Sequence, residues 1–342
     1  MTILLHRAIK IGDNLVAIRA IYAIKCIFPS ANLIVATNNI GANLYANLPF
    51  IDTLLNLDTN PSAIYGISDI DYFIITHRTT QNLAFAKNTS AKHIITRAHL
   101  RSLLSPRFIS DFNFTTKLRP ESANLLRLVR LIDKRAFDSK IKEIDFSGAK
   151  LRFTKENSDF VEAFLAQNAN GGGQFGNKNP KNRALIGMNI FGSGGVGYLS
   201  VDLWREIVES LANEFSDYDF TLLCPPNAHL EPFSVPNVRI FVNNSDLLNL
   251  VAMIARCNAL ISVDTGSVHI ADNLQVPTLG IYTRKMIKRW RGGTYGGEFV
   301  HFLIPLHNRD YGKENDEKQK LLVFLKTEIA KMPIVTKKGG DD

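Results

Sequence analysis

Three strand-to-helix junctions of this sequence carry side chains that could do chemistry. At the first junction, Asp13 follows Gly12 directly after an apolar strand. Its carboxylate could cap the helix that follows, or it could act as a general base on a substrate hydroxyl. At the second junction, a glycine-rich loop allows backbone amides to approach a phosphate. The candidate residues of this loop are Gly192, Ser193 and Gly194.

The third junction combines a carboxylate, two hydroxyls and an imidazole at the start of a predicted helix. Its residues are Asp264, Thr265, Gly266, Ser267 and His269. The free N–H groups and the positive dipole end of such a helix are suited to a pyrophosphate, with the hydroxyls as further donors. From the spacing alone, Asp264 could instead be a helix cap, and His269 could be a packed or exposed helix residue.

The glycine loop also satisfies a dinucleotide pattern, since Gly192, Gly194 and Gly197 are spaced as G-x-G-x-x-G. That fingerprint requires its third glycine to pack inside the following helix, whereas the helix predicted here starts at Ser200 or later. The spacing therefore favours a phosphate-approaching loop or a flexible turn over binding of NAD or FAD.

The elements that must position these junctions alternate twice between strand and helix. The first series consists of strands 3–9, 32–37 and 71–76 with helices 13–28 and 41–48. The second series consists of strands 184–191, 219–224, 238–243, 259–263 and 277–282 with helices 201–215, 246–256 and one from about Ser267. Residues 168–182, between the two series, include nine Gly or Asn among fifteen and predict a linker. The alternation predicts two parallel sheets with crossover helices, and ligands at the carboxyl ends of strands in a cleft between the units.

Composition restricts the class of protein. The chain has 342 residues, of which 45% are hydrophobic and 21% charged, as expected of a globular protein of about two domains. Its three cysteines are far apart in sequence and support neither a disulfide framework nor a zinc site. No apolar run approaches the roughly 18 residues of a membrane-spanning helix. The first residues lack the order of a secretory signal, so we expect a cytoplasmic location.

Positive charge is concentrated in the first half of the chain. The net charge is +8, and residues 78–155 hold 17 Lys or Arg against 6 Asp or Glu, interleaved with Leu and Phe. Such a run is either a solvated helical surface or a face for an acidic partner, namely a phosphate-bearing acceptor or an anionic membrane. No nucleic-acid-binding signature accompanies it, so nucleic acid is not an expected partner.

The third junction resembles a known family signature. Asp264, Thr265, Gly266, His269 and Ala271 are similar to the D-T-G-x-x-H-x-A motif of the heptosyltransferases of lipopolysaccharide core assembly, glycosyltransferase family 9. Further similarities are Pro277 at the start of the next strand, the Gly12-Asp13 junction, the Trp204-bearing helix after a glycine-bearing loop, and the run 246–263. The resemblance implies an α/β fold of the GT-B class, with two Rossmann-like domains facing across a cleft.

The resemblance also implies how the chain divides. The implied segments are an acceptor-binding N-terminal domain (1–167), a linker (168–183), a nucleotide-sugar-binding C-terminal domain (184–316), and a C-terminal helix with a frayed tail (317–342). The C-terminal helix is expected to pack back toward the N-terminal domain.

The activity implied by the resemblance is inverting and metal-independent transfer of a heptose, or a related sugar, from ADP-heptose to an inner-core lipopolysaccharide or lipooligosaccharide acceptor. Asp13 would be the base, and the second and third junctions would bind the donor. We expect no metal and no cofactor, a lipid-linked phosphorylated acceptor as partner, and a cytoplasmic protein with peripheral contact to the inner membrane.

The sequence departs from the family pattern at one phosphate contact. Family members commonly place a Lys shortly before the tryptophan-bearing helix, whereas this chain has Gly197 and Tyr198 there. We hypothesise that Arg284, Lys285 and Lys288 neutralise the phosphate instead. Two alternatives stay open: a nucleotide-sugar epimerase on the same fold, and a non-catalytic relative that binds nucleotide or glycan.

Overall fold

The structure, a computed structural model, forms two compact units by its internal contacts. It describes residues 1–100, 102, 105–113, 118–166, 183–192, 195–305 and 314–332. Unit 1 comprises Met1–Arg152 with Lys288–Trp290, and unit 2 comprises Phe153–Ile287 with Arg291–Asp342. The contact-based division therefore falls after Arg152. Most of the predicted linker, residues 168–182, lies outside the described residues, and the domain boundaries given above stay a prediction.

Unit 1 contains a six-stranded sheet in which every neighbouring pair is parallel. The strands are β1 (Thr2–His6), β2 (Asn32–Thr37), β3 (Thr53–Asn56), β4 (Tyr72–Ile75), β5 (His93–Arg97) and β6 (Phe108–Asp111), in the spatial order β3-β2-β1-β4-β5-β6. The central strands are apolar runs buried on both faces, which is typical of parallel sheets covered by helices. Strand order reverses between β1 and β4, and open α/β sheets generally bind ligands at such a switch point, beyond the carboxyl ends of the strands.

The helices of unit 1 differ from the sequence prediction near the first junction. They are α1 (Ile11–Leu15), α2 (Ile18–Ile27), α3 (Asn39–Tyr45), α4 (Thr80–Lys87), α5 (Glu121–Arg130) and α6 (Lys134–Lys140). The predicted single helix 13–28 is wrong, because the chain forms two helices, α1 and α2. The Asn14 carbonyl accepts hydrogen bonds from the Ala17 amide, at 3.0 Å, and from the Tyr45 hydroxyl, at 2.7 Å, which closes a tight turn where α1 ends.

Unit 2 contains a second parallel sheet of six strands, with the same winding order. Its strands are β7 (Ala184–Asn189), β10 (Tyr218–Cys224), β11 (Val238–Val242), β12 (Ala259–Val263), β13 (Thr278–Tyr282) and β14 (Phe299–Leu303), in the order β11-β10-β7-β12-β13-β14. A short antiparallel hairpin, β8 (Phe191–Gly192) and β9 (Gly195–Val196), follows β7. The switch point of this sheet lies between β7 and β12, the strands that lead into the second and third junctions.

The helices of unit 2 cover this sheet. They are α7 (Lys155–Ala166), α8 (Val201–Glu214), α9 (Leu247–Arg256), α10 (Gly266–Leu274), α11 (Arg284–Trp290, whose last three residues are assigned to unit 1) and α12 (Glu314–Lys331). Helix α12 packs on α8 through Leu321 and Leu325, and an ion pair joins Lys326 to Glu214 at 2.5 Å. The predicted approach of this helix to the N-terminal domain stays a prediction. None of the described helices is long and apolar enough to cross a membrane.

Candidate active site

Asp13 lies in the short helix that follows β1, in unit 1. The helix-cap interpretation of Asp13 is wrong, because the N-cap of α1 is Lys10 and Asp13 is the third residue of the helix. Its carboxylate instead accepts a hydrogen bond from Arg7, with 3.0 Å between Arg7 Nη2 and Asp13 Oδ1. The Asp13 side chain keeps 23% of its surface exposed, so a substrate can reach it.

Arg7 is the residue that the sequence analysis missed at this junction. Its side chain is only 1% exposed, and its Nε also donates to the Asp13 main-chain carbonyl at 2.8 Å. Burial lowers the pKa of Arg7, while Asp13 and Glu121 oppose that shift. A guanidinium stays charged at neutral pH, so buried Arg7 forms an ion pair with the partly exposed Asp13 carboxylate. The position of Arg7, a charged residue directly after an apolar strand, was the sequence signal that could have identified it.

Glu121, the first residue of α5, lies close to three arginine side chains. Its carboxylate is 2% exposed and lies 2.7 Å from Arg97 Nη2, 3.0 Å from Arg289 Nη2 and 3.9 Å from Arg7 Nη1. Burial alone would raise the pKa of Glu121, but Arg97, Arg289 and Arg7 outweigh it and lower that pKa. Glu121 is therefore an ionised carboxylate at neutral pH, surrounded by guanidinium groups.

Two side-chain amides hold the chain between β1 and α1. Asn14 Nδ2 and Asn38 Nδ2 both donate to the Ile9 carbonyl, at 3.1 and 2.9 Å. Asn14 is fully buried beneath Tyr45. The segment that leads into α1, the helix that carries Asp13, is thus held by two hydrogen bonds, and a catalytic group requires such a fixed position.

In unit 2, the glycine-rich stretch forms the β8–β9 hairpin. Gly192 pairs with Gly195 across it, whereas Ser193 and Gly194 lie outside the described residues. Helix α8 begins at Val201, with the Ser200 hydroxyl as its cap, so the third glycine of the pattern does not pack inside a helix. The arrangement therefore differs from a dinucleotide-binding fingerprint, as the spacing predicted.

The turn after the hairpin lies against the end of β12. A Cβ atom on Gly197 would stand 3.3 Å from Val263, and the Gly197 carbonyl accepts from Trp204 Nε1 at 2.9 Å. Tyr198 follows with φ at +68°, a left-handed conformation that is uncommon for a residue other than glycine. Burial and the nearby Asp264 raise the pKa of Tyr198, whereas a hydrogen bond from the Thr283 amide lowers it. Tyr198 thus joins the ends of β12 and β13.

The third junction sits at the switch point of the unit 2 sheet. Helix α10 begins at Gly266, with Thr265 at the N-cap position and no side-chain cap bond. Buried Ser267 accepts a hydrogen bond from Asn189 Nδ2, the last residue of β7, at 2.8 Å. This bond, which the sequence did not reveal, ties the exit of β7 to the start of α10 and fixes the helix N-terminus.

Asp264 is partly buried and uncommonly easy to protonate. Burial raises its pKa from 3.8 to about 7. The folded state therefore binds this proton more tightly than the unfolded state does. The contribution of Asp264 to the free energy of unfolding is complete below about pH 4 and is lost as the pH rises toward 7.

We expect the free energy of unfolding of the wild type to decline over this range relative to Asp264→Asn, as measured by urea unfolding at several pH values. Parallel pH curves for the two proteins would contradict this.

His269 lies in the first turn of α10 but is buried. Burial lowers the pKa of His269 to about 4, although the negative charge of Asp272 acts to raise it. The imidazole is therefore neutral at pH 7. Asp272 also accepts from the amide and hydroxyl of Thr294 and the amide of Tyr295, and so anchors the loop after α11. His269 can therefore offer a directed hydrogen bond but no positive charge.

The proposed cationic residues stand on α11. Arg284, Lys285 and Lys288 are all exposed, and the Thr283 hydroxyl caps the helix by accepting from Met286. Their neighbour Arg289 is paired with Glu121 in unit 1. The three exposed side chains are thus available for an anionic ligand.

Known proteins resemble the chain in one sequence region and in overall fold. Residues 202–321 match the family model described as glycosyltransferase family 9 (heptosyltransferase). No curated protein sequence matches significantly. A family 9 glycosyltransferase from Veillonella parvula is similar in structure, with a TM-score of 0.71, 14% identity, and 96% of this chain and 97% of that chain covered.

Two E. coli structures are also similar. ADP-heptose lps heptosyltransferase II has a TM-score of 0.66 and 14% identity, with 96% of this chain and 100% of that chain covered. Heptosyltransferase WaaC with ADP has a TM-score of 0.65 and 13% identity, with 97% and 100% covered. At these identities the likeness defines the fold, and the predicted α/β class of GT-B type is confirmed.

The sequence match falls on the region of the third junction. Residues 202–321, which include nearly all of α8, the helices α9 to α11 and the whole third junction, are similar to glycosyltransferase family 9 (heptosyltransferase). The resemblance predicted from Asp264, Thr265, Gly266 and His269 is thereby confirmed.

Proposed function

We propose that the protein is an inverting, metal-independent glycosyltransferase that moves a heptose, or a related sugar, from ADP-heptose to an inner-core lipopolysaccharide or lipooligosaccharide acceptor. The observation that carries the proposal is the accessible Asp13 carboxylate, gripped by buried Arg7 at the carboxyl end of β1. The family match supports the sugar chemistry. The E. coli relative solved with ADP and with ADP-2-deoxy-2-fluoro heptose supports an ADP-sugar donor.

In this mechanism Asp13 removes the proton from an acceptor hydroxyl. The oxygen then forms a bond to the anomeric carbon from the face opposite the leaving group. The bond between that carbon and the diphosphate oxygen breaks, and its electron pair leaves with ADP. Inversion at the anomeric carbon is the consequence.

The leaving diphosphate requires compensation of its growing negative charge. We propose that the amides of Gly266 and Ser267 at the start of α10 donate to it, together with the Thr265 hydroxyl; the absence of a side-chain cap bond from Thr265 supports this role. Arg284, Lys285 and Lys288 supply positive charge, which neutral His269 does not. Gly192, Ser193 and Gly194 complete the proposed donor site.

The acceptor side of the proposal rests on unit 1. Many basic residues between 78 and 155 are already paired, such as Arg127 with Asp111 and Arg130 with Asp138. Others are exposed, namely Lys87, Arg119, Lys134, Arg135 and Lys142. We propose that these exposed side chains face a phosphorylated, lipid-linked acceptor, and that the protein works in the cytoplasm with peripheral contact to the inner membrane.

Nucleotide preference tests the donor. We expect ADP and ADP-heptose to raise the melting temperature more than UDP, GDP or NAD, because a ligand that binds only the folded state stabilises it by about 2.7 kcal/mol at 100 times its Kd. Differential scanning fluorimetry with each nucleotide measures this. Preference for UDP or GDP would contradict the proposed donor.

Product release separates the proposed transferase from its alternatives. We expect ADP to be released from ADP-heptose only when the lipid-linked acceptor is present. An epimerase would convert the donor sugar without acceptor, and a non-catalytic relative would bind the donor without turnover. A coupled assay for free ADP, with and without acceptor, distinguishes the three.

A further inference from the structure

Arg7 donates two hydrogen bonds to Asp13. Its Nε donates to the main-chain carbonyl at 2.8 Å and its Nη2 to Oδ1 of the carboxylate at 3.0 Å. These two bonds fix the rotation of the Asp13 side chain relative to its own backbone. Within the described part of the chain, no donor reaches Oδ2, which is therefore the oxygen left for a substrate hydroxyl.

Arg7 itself is held firmly in unit 1. Its amide donates to the Ala36 carbonyl at 2.9 Å, and its own carbonyl accepts from the Thr37 hydroxyl at 2.5 Å. The Arg7 side chain is 1% exposed, so the surrounding protein prevents the guanidinium from turning out into solvent. Asp13 is thus oriented by a group that the sheet itself positions.

Glu121 stands behind Arg7 as a second anion. It lies 3.9 Å from Arg7 Nη1, the guanidinium nitrogen that takes no part in the two bonds to Asp13. When Asp13 takes up the acceptor proton, the carboxyl becomes neutral and Arg7 loses its partner charge. A buried cation without a counter-ion is costly, and Glu121 keeps Arg7 paired at that moment.

We propose that Arg7 and Glu121 are positioning residues for the general base: Arg7 orients Asp13 so that Oδ2 faces the acceptor hydroxyl, and Glu121 balances Arg7 once Asp13 is protonated. The inference rests on the proposed function, because it requires Asp13 to be the base. Neither residue touches substrate in this role, and both act through Asp13.

The test is a double-mutant cycle on transfer from ADP-heptose to the lipid-linked inner-core acceptor. We expect Arg7→Met to lower kcat roughly 100-fold, as misplacement of a catalytic group by about 1 Å can do, with little change in the KM for ADP-heptose. Arg7→Lys should recover part of the loss. Arg7→Met combined with Asp13→Asn should be no slower than Asp13→Asn alone, because a residue that acts through Asp13 has nothing left to position.

The matched control is Arg127→Met, which removes another arginine from unit 1 whose carboxylate partner is Asp111, and it should leave kcat unchanged. Melting temperatures and ADP binding of all variants report folding, and Arg7→Lys keeps the test available if Arg7→Met does not fold. Full activity of a folded Arg7→Met, or losses that multiply in the double variant, would overturn the inference while the function stands. Absence of transfer by the wild type would overturn the function and the inference together.

Discussion

Asp13→Asn is expected to slow sugar transfer by a factor of roughly 10² to 10⁴, the contribution typical of a general base. The amide keeps the size of the side chain and can still accept from Arg7, so the fold should persist. Donor binding, which we propose for unit 2, should be largely unchanged. Release of ADP in the presence of acceptor measures the rate, and the shift in melting temperature with ADP measures donor binding.

A suitable control for this substitution is Asp138→Asn, which alters an exposed carboxylate paired with Arg130 in the same unit. We expect it to retain wild-type turnover. Wild-type turnover by Asp13→Asn would reject the role of Asp13 as base. Loss of the folded state in Asp13→Asn would show instead that the ion pair with Arg7 is needed for structure.

Glu121→Ala is expected to destabilise the protein by about 3–5 kcal/mol, because it removes a buried carboxylate that buried Arg7 and partly buried Arg97 share. The carboxylate is 2% exposed, so water cannot readily replace it. Urea unfolding measures the change. In contrast, Asp138→Ala removes an exposed ion pair and should cost about 0–1 kcal/mol.

The pH dependence gives this prediction a second measurement. The pKa of Glu121 is lowered in the folded state. The contribution of its charge to the free energy of unfolding is therefore present above the unfolded-state pKa of 4.5, and it is lost as the pH falls through the folded-state pKa. The stability difference between wild type and Glu121→Gln should therefore be largest near neutral pH and shrink in acid. A difference that grows in acid would mean that the surrounding arginines do not stabilise the carboxylate.

Local patterns were sufficient to predict most central elements. The apolar runs 32–37 and 259–263 are β2 and β12 with the predicted bounds. The break between α1 and α2 was not predictable, because the apolar spacing continues through it while Tyr45, far along the chain, contacts Asn14. The strands of the basic region, β5 and β6, were also missed, since their short apolar runs lie between charged residues.

The candidate site was predictable only as a set of positions. The placement of Asp13 after β1 and of Asp264 after β12 follows from strand ends, which sequence patterns reveal. The partners that set their chemistry come from elsewhere: Glu121 is 114 positions from Arg7, and Asn189 is 78 from Ser267. Such pairings depend on how strands are ordered in a sheet, and no local spacing encodes them.

The all-parallel pairing of both six-stranded sheets has a consequence for how the chain acquires its structure. Two consecutive parallel strands are joined by a long crossover connection, so each strand pairs with a segment that is distant in sequence. Closing such long loops costs entropy before the pairing repays it, and we therefore expect slow, non-local folding for both units. During that interval, strands with unsatisfied edges are exposed to association with other chains, which makes newly synthesised protein the form most prone to aggregate.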